Sequence, residues 1–293
     1  MLDVATQIKD GKLVCPLTHQ RLSVDTQAGS LVTRDGKIRY GYLDGKVPIL
    51  LPDPGWAAQY ASASQRMAEE YAPSKVARRR SYWHWLKTND YRTRASNAAF
   101  DGLFDGLMQD ALCLSIGGGP FRRDPRLVNV NIWPFPNVDV VGDAHKLPYA
   151  EGCVDAIFCE AVLEHLGEPA GSVREMCRVL RPGGRVYAVT PFIAPYHGYP
   201  DHYQSYTLTG HTRLFSSRGF NILESGVCVG PVYTLFNLIY VFLAEFVPKP
   251  LNVVARKAWG VLGLGIRPLD RLVQDAGNAH VLASSTFILA HKG

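Results

Sequence analysis

From residue 111 onward, short apolar runs alternate with polar segments of helical spacing. "ALCLSI", "LVNVNI", "VDVVGDA" and the start of "VDAIFCEAVLEHL" read as four buried strands, and "RVYAVTPF" as a fifth. "FNILESGVCVG" reads as a sixth and "SSTFILAHKG" as the last. Between them, "EPAGSVREMCRVLRPGG" predicts a helix stopped by Pro-Gly-Gly, with basic residues near its carboxyl end where cations are favoured. "TLTGHTRLFSSRG" predicts a Thr-started, Gly-ended helix. Strands alternating with helices imply an α/β fold with a doubly wound, mostly parallel sheet over residues 111–293. Residues 1–55 show short alternating runs with glycine turns, "KIRYGYL" being the clearest, and predict a small β module. Such a unit has little core of its own and is expected to pack on its neighbour. Residues 56–110 carry aromatics at helical spacing and predict a helical linker or lid. An insert at 231–282 opens with "PVYTLFNLIYVFLAEFV", nearly all apolar, and turns basic after Pro248.

Composition adds bounds. The chain has 293 residues, 47% hydrophobic and 19% charged, with a net charge of +5. The basic residues are scattered, so no nucleic-acid partner is expected. Six cysteines occur without a CxxC pair, which predicts free thiols in a reducing, cytoplasmic setting. The amino terminus lacks the basic-then-apolar pattern of a secretory signal.

The first strand runs into Gly117, Gly118 and Gly119. One glycine suffices for a tight turn; three suggest a ligand lying against the backbone. A dinucleotide turn wants G-x-G-x-x-G, but its last position is Arg122, and the acid expected after the second strand is Asn131. Both count against an NAD(P)-dependent reductase. The segment instead resembles the class I S-adenosylmethionine-dependent methyltransferases. "LSIGGG" matches their first motif, while "GDAHKLPYAEGCVDAIFCEAVLEHL" and "EMCRVLRPGGRVYAVTP" match the quinone-methyltransferase group. The resemblance covers about residues 110–226 and resumes at 283–292. It implies a seven-stranded Rossmann-like sheet and S-adenosyl-L-methionine as cofactor.

The resemblance also implies roles. Gly117, Gly118 and Gly119 form the cradle, and Asn131 stands where an acid usually holds the ribose. Asp143 and Ala144 face the adenine, with Trp133 or His145 flanking it. Glu160 and Ala161 lie beneath the sulfonium, His165 is a motif residue, and Ser115 replaces the usual first-motif acid. Because two carboxylates are missing, a non-catalytic or weakly active scaffold of the same fold is the alternative reading.

"LVCPLTHQRL…DGKVPILLP" resembles the zinc-ribbon-like activator of methyltransferases. Of its cysteines only Cys15 remains, with Thr18 at the second ligand position, so a metal-free module is expected and no metal ligands are assigned anywhere. After the fifth strand, "TPFIAPYHGYPDHYQSYT" offers His202, beside Asp201, and His197 as candidate bases, with Tyr203 nearby. The acceptor is expected to be a small-molecule, lipid-linked or glycan-pathway compound methylated on oxygen, as in bacterial surface pathways. For the insert three roles stay open: a buried cap, a peripheral membrane contact, or a homodimer face.

Overall fold

The structure is a computed structural model that describes residues 3–53, 91–198 and 201–293. A short helix α1 (Val4–Lys9), capped by Asp3, leads into strands β1 (Leu22–Asp25), β2 (Ser30–Thr33) and β3 (Arg39–Tyr40). These three form a small antiparallel sheet. Strands β4 (Tyr42–Leu43) and β5 (Val47–Leu50) follow as a hairpin. Helix α2 (Arg94–Gly102) precedes β6 (Cys113–Ile116), β7 (Leu127–Asn131), β8 (Val140–Gly142) and β9 (Val154–Glu160). Helix α3 (Pro169–Val179), β10 (Leu180–Pro191), α4 (Leu208–Ser216) and β11 (Phe220–Val229) come next. Two longer helices, α5 (Pro231–Glu245) and α6 (Leu251–Ile266), separate β11 from the last strand, β12 (Ser285–Lys292).

The large sheet has the order β11-β12-β10-β9-β6-β7-β8-β5-β4. Its centre is parallel, and β12 runs antiparallel between β10 and β11. The seven expected strands are all present. Two more are added by the N-terminal region: β5 pairs in parallel with β8, placing Ile49 opposite Val141. The described residues of this N-terminal stretch therefore extend the large sheet. Ile8, Leu13, Leu31 and Tyr40 share one core with Leu114, Val130 and Ile157. The reason is the thin core anticipated from the sequence: this stretch buries its apolar faces only by joining the neighbouring sheet.

Strand alternation divides the packing. On β9, Ile157 and Cys159 face α3 and α4, while Ala156 and Phe158 face α2. Phe100 of α2 packs edge-on against both Phe158 and Tyr187. The described part of the expected linker is thus a layer of the fold and not a lid; residues 56–90 lie outside the described residues. The Pro-Gly-Gly stop also differs in detail. Helix α3 ends at Val179, and "RPGG" forms an irregular opening of β10, where the register with β9 shifts between Leu180 and Arg185.

Helix α4 starts as expected, with the Thr207 hydroxyl accepting from the Gly210 amide. It carries one ionisable group into the core. His211 is fully buried, with Nδ1 3.1 Å from Thr286 Oγ1 and no partner for Nε2 among the described residues. Burial pushes its pKa down to about 3. The unfolded chain binds this proton near pH 6.5 and the folded chain does not. Stability is therefore complete above about pH 6.5 and falls as the pH drops towards 3, by at most about 1.4 kcal/mol per unit. Urea unfolding between pH 7 and 4 should show this slope, and His211→Phe should flatten it.

Candidate active site

The glycine turn sits at the carboxyl end of β6. Gly117 and Gly119 adopt φ of 69° and 60°, the left-handed region in which glycine is favoured. The three glycines do different work. A Cβ on Gly117 would stand 2.3 Å from Val162 Cγ2, so this position lets the segment after β9 close against the turn. A Cβ on Gly118 would collide with Ser115 Oγ and Asn129 Oδ1. Only Gly119 faces open space, with nothing within 4 Å. The missing side chain of Gly117 thus makes room for Val162. Ser115 is likewise buried under the turn.

Asn129 and Arg122 are what the sequence reading missed. Asn129 is buried on β7 and donates through Nδ2 to Gly119 O (3.0 Å) and Asn137 O (3.2 Å). It orders the loop, the task normally given to the first-motif acid. Arg122, which stands where a dinucleotide turn needs its third glycine, bonds Leu127 O and pairs with Asp139 at 2.8 Å. Asp139 in turn accepts from the Asn129 amide at 2.7 Å. Its bulk belongs to the loop's bracing.

On the adjoining strand ends, Asn131 is buried and its Oδ1 accepts from the Trp133 amide at 3.0 Å. Its amide nitrogen keeps donor capacity towards a ribose oxygen. After β8, Asp143 Oδ1 accepts from both the backbone amide of His145 (2.8 Å) and its ring Nδ1 (2.9 Å). Burial by itself would raise the Asp143 carboxyl, but these bonds outweigh it and hold it below the ordinary carboxylate range. The same bond raises the His145 pKa. Both contacts use Oδ1, not Oδ2. Ala144 lies half-buried between them.

At the end of β9, Glu160 is paired with Arg92, a residue far away in sequence. Arg92 lies just before α2, and its neighbour Tyr91 stacks on Tyr233 of α5 at 4.4 Å and accepts a hydrogen bond from Arg267. The tip of β9 is thereby linked to the helical insert. Ala161 follows with φ of 52°, a conformation that costs a non-glycine residue about 1–2 kcal/mol. This turn delivers Val162 to Gly117.

Beyond it, the Leu163–His165 turn meets the loop after β10. His165 and His197 approach the buried carboxylate of Glu164 with Nε2–Oε1 distances of 3.8 and 3.6 Å. The neighbouring Glu164 carboxylate raises the His197 pKa. The His202 ring lies 4.5 Å from that of His197, and its Nε2 contacts Ser205 Oγ at 3.2 Å. Burial, followed by the charge of His197, lowers its pKa. The sequence neighbours Asp201 and His202 do not pair. Asp201 accepts from the Tyr203 hydroxyl at 3.2 Å, because adjacent residues in this extended loop point apart. The sequence reading does not single out Glu164 of "LEHL", because burial of a glutamate leaves no trace in composition.

Residues 126–188 match the family described as "Methyltransferase domain". The "uncharacterized 37.1 kDa protein in transposon TN4556" of Streptomyces fradiae is 40% identical over 156 residues, covering 46% of this chain and 44% of that protein. Demethylmenaquinone methyltransferase of Beutenbergia cavernae is 33% identical over 93 residues, covering 30% and 39% respectively. Burkholderia thailandensis 1,6-didemethyltoxoflavin-N1-methyltransferase, solved with 1,6-didemethyltoxoflavin and S-adenosylhomocysteine, is 14% identical with a TM-score of 0.44, over 88% of this chain and 97% of that one. The matches span less than half the length of each of the two curated relatives. The central sheet thus carries a Rossmann-like methyltransferase domain, and S-adenosylmethionine is the cofactor of that domain. The residues present fit it: a cradle at Gly119 that a side chain would fill, an amide at the ribose position and a carboxylate at the adenine position.

Proposed function

We propose that this chain methylates an oxygen of a small-molecule, lipid-linked or glycan-pathway acceptor. The observation that carries the reading is the juxtaposition, at one sheet edge, of the open glycine turn and the histidine-lined loop after β10. S-adenosylmethionine, when bound, supplies an activated methyl group and its own leaving group, so the protein mainly positions and desolvates. Gly119 and Asn131 hold the cofactor's sugar and amino-acid side, and Asp143 its base. Glu160, fixed by Arg92, sets the floor of the pocket. His202 stands where an acceptor hydroxyl would release its proton, and a neutral imidazole suits that role. Tyr203 and Asp201 pair with each other on the exposed rim.

The N-terminal region is, in this reading, a ribbon-like unit whose metal knuckle has been replaced. Cys15 is buried with Sγ 3.1 Å from the Tyr40 hydroxyl. Burial opposes ionisation of this thiol, but hydrogen bonds from Thr18 and Tyr40 outweigh it and lower its pKa.

Among the described residues no helix is long and apolar enough to cross a membrane. Helices α5 and α6 nevertheless form a hairpin with an exposed apolar face. Its inner side is closed by Phe236 stacked on Trp259 at 5.5 Å and by Gly263, where a Cβ would lie 2.4 Å from the Phe236 ring. The outer side exposes Leu235, Phe242, Phe246, Val254 and Leu262. These side chains find no partner layer among the described residues, which supports a membrane contact over a fully buried cap. The insert instead rests on an anionic membrane surface and brings the site to a lipid-linked acceptor.

Calorimetry with S-adenosylhomocysteine tests the cofactor half of the reading. Wild type should bind, and Asp143→Ala should lose about 1–3 kcal/mol, roughly 5- to 150-fold, since the adenine amino group would go unpaired. Wild type failing to bind would remove the enzyme reading.

A further inference from the structure

The Glu164 cluster contains more acceptors than its protons can serve. Glu164 is wholly buried, and among the described residues neither carboxylate oxygen has a hydrogen-bond partner. The His165 ring places Nδ1 2.5 Å from the backbone oxygen of Asp201, and the His197 ring places Nδ1 3.1 Å from that of Pro195. A carbonyl oxygen only accepts, so in both rings Nδ1 carries the hydrogen and the neutral imidazole presents a lone pair at Nε2. Both Nε2 atoms face Glu164. Two lone pairs and a carboxylate therefore converge, with all three ligand atoms within 4.8 Å of one another.

The framework around the cluster is fixed. Tyr203 donates its backbone amide to Glu164 O at 2.9 Å. Gln204 Nε2 bonds Leu163 O and Leu166 O at 2.9 and 2.7 Å. An unpaired carboxylate held dry in this way is strongly disfavoured. One proton on one imidazole would satisfy one contact and leave the other Nε2 facing an acceptor. A cation at the centre satisfies all three groups.

The spacing suits such an ion. Ligands about 2.1 Å from a tetrahedral centre stand about 3.4 Å apart, close to the 3.6 and 3.8 Å seen here. The Nδ1–H bonds to backbone carbonyls are the outer contacts that orient metal-binding histidines. We infer that Glu164, His165 and His197 bind a first-row divalent cation, zinc in the first instance, through one carboxylate and two Nε2 atoms. Three protein ligands leave coordination positions open. The His197 side chain is 46% exposed, which gives an entry path from solvent. The open positions lie at the sheet edge that carries the glycine turn. If the methyl-transfer reading holds, an acceptor hydroxyl bound there would lose its proton more readily. The metal assignment itself does not depend on that reading, and it departs from the metal-free expectation drawn from the sequence.

The test uses the full-length protein stripped with a chelator and then titrated with zinc, and separately with cobalt read by its visible absorption. About one equivalent should bind with micromolar affinity or better. Glu164→Gln and His197→Gln should each weaken binding at least tenfold, whereas Cys15→Ser should leave it unchanged. Far-ultraviolet circular dichroism and S-adenosylhomocysteine calorimetry on the same samples report folding and cofactor binding separately. Failure of the metal site and failure of the cofactor reading are thereby told apart. Wild type that retains neither ion at one equivalent, or that binds it equally well after both substitutions, overturns the inference. So does an equivalent of zinc that is lost on Cys15→Ser.

Discussion

Gly119→Val is expected to weaken S-adenosylhomocysteine binding by more than 100-fold while the thermal midpoint moves only slightly. The argument rests on where the new side chain goes. At Gly119 nothing lies within 4 Å of the Cβ position, so valine meets no protein atom there and projects into the open cradle. The folded state bears the cost of φ at 60° for a branched residue, on the order of 1–2 kcal/mol. The bound cofactor would also have to share its space with two methyl groups. Gly117→Val provides the contrast. Its Cβ would meet Val162 at 2.3 Å, so binding and stability should fall together. Gly119→Ala should fall between wild type and valine in affinity. Calorimetry paired with thermal unfolding separates these outcomes. Near-wild-type affinity in Gly119→Val would show that the turn does not carry the cofactor.

The contrast between the two glycines also marks what the sequence could convey. Buried parallel strands announce themselves as continuous apolar runs, which is why β6 to β10 were legible. β5 was not. "VPIL" is short, and whether it ends a hairpin or extends the large sheet depends on the partner it finds at β8. The glycine turn was visible as composition, but the division of labour within it is set by Val162, Ser115 and Asn129, which arrive from three different segments. Position counting from the family motif drew attention to Ser115 and Asn131, where acids are missing. It overlooked Asn129, whose amide does the loop ordering from the middle of β7. Arg92 and Glu160 are 68 positions apart, and no local pattern announces their pairing. Glu164 shows the same limit most sharply. Its identity is legible in the sequence, but its significance lies in having no hydrogen-bond partner among the described residues, and that is a property of packing alone.

Helices α5 and α6 should hold the protein on anionic liposomes at low salt and release it as salt rises. At about 1.5 Å per residue, the 15 and 16 residues of these helices reach about 22 and 24 Å, short of a hydrocarbon core of about 30 Å. They suit lying in the interface, where each exposed leucine or phenylalanine that leaves water contributes about 1.5–3 kcal/mol. The charge that accompanies them is smaller than the sequence suggested. Arg267 is buried, bonds Gly263 O at 3.0 Å and lies over the Tyr91 and Phe236 rings, so it braces the hairpin and meets no headgroup. Asp270 accepts from the Val232 amide at 2.9 Å and caps α5. Lys249, Lys257 and Arg271 remain exposed, each worth about 1 kcal/mol near an anionic surface. Reversing all three to glutamate should cut liposome binding by more than 100-fold and remove its salt dependence. Phe242→Ser with Leu262→Ser should abolish binding even at low salt. Neither set touches the glycine turn, so S-adenosylhomocysteine affinity should hold in both. Protein that stays in the supernatant at low salt with every lipid composition would refute the membrane contact. Sedimentation showing a tight dimer, dissociated by the two serine substitutions, would assign the apolar face to a second copy of the chain.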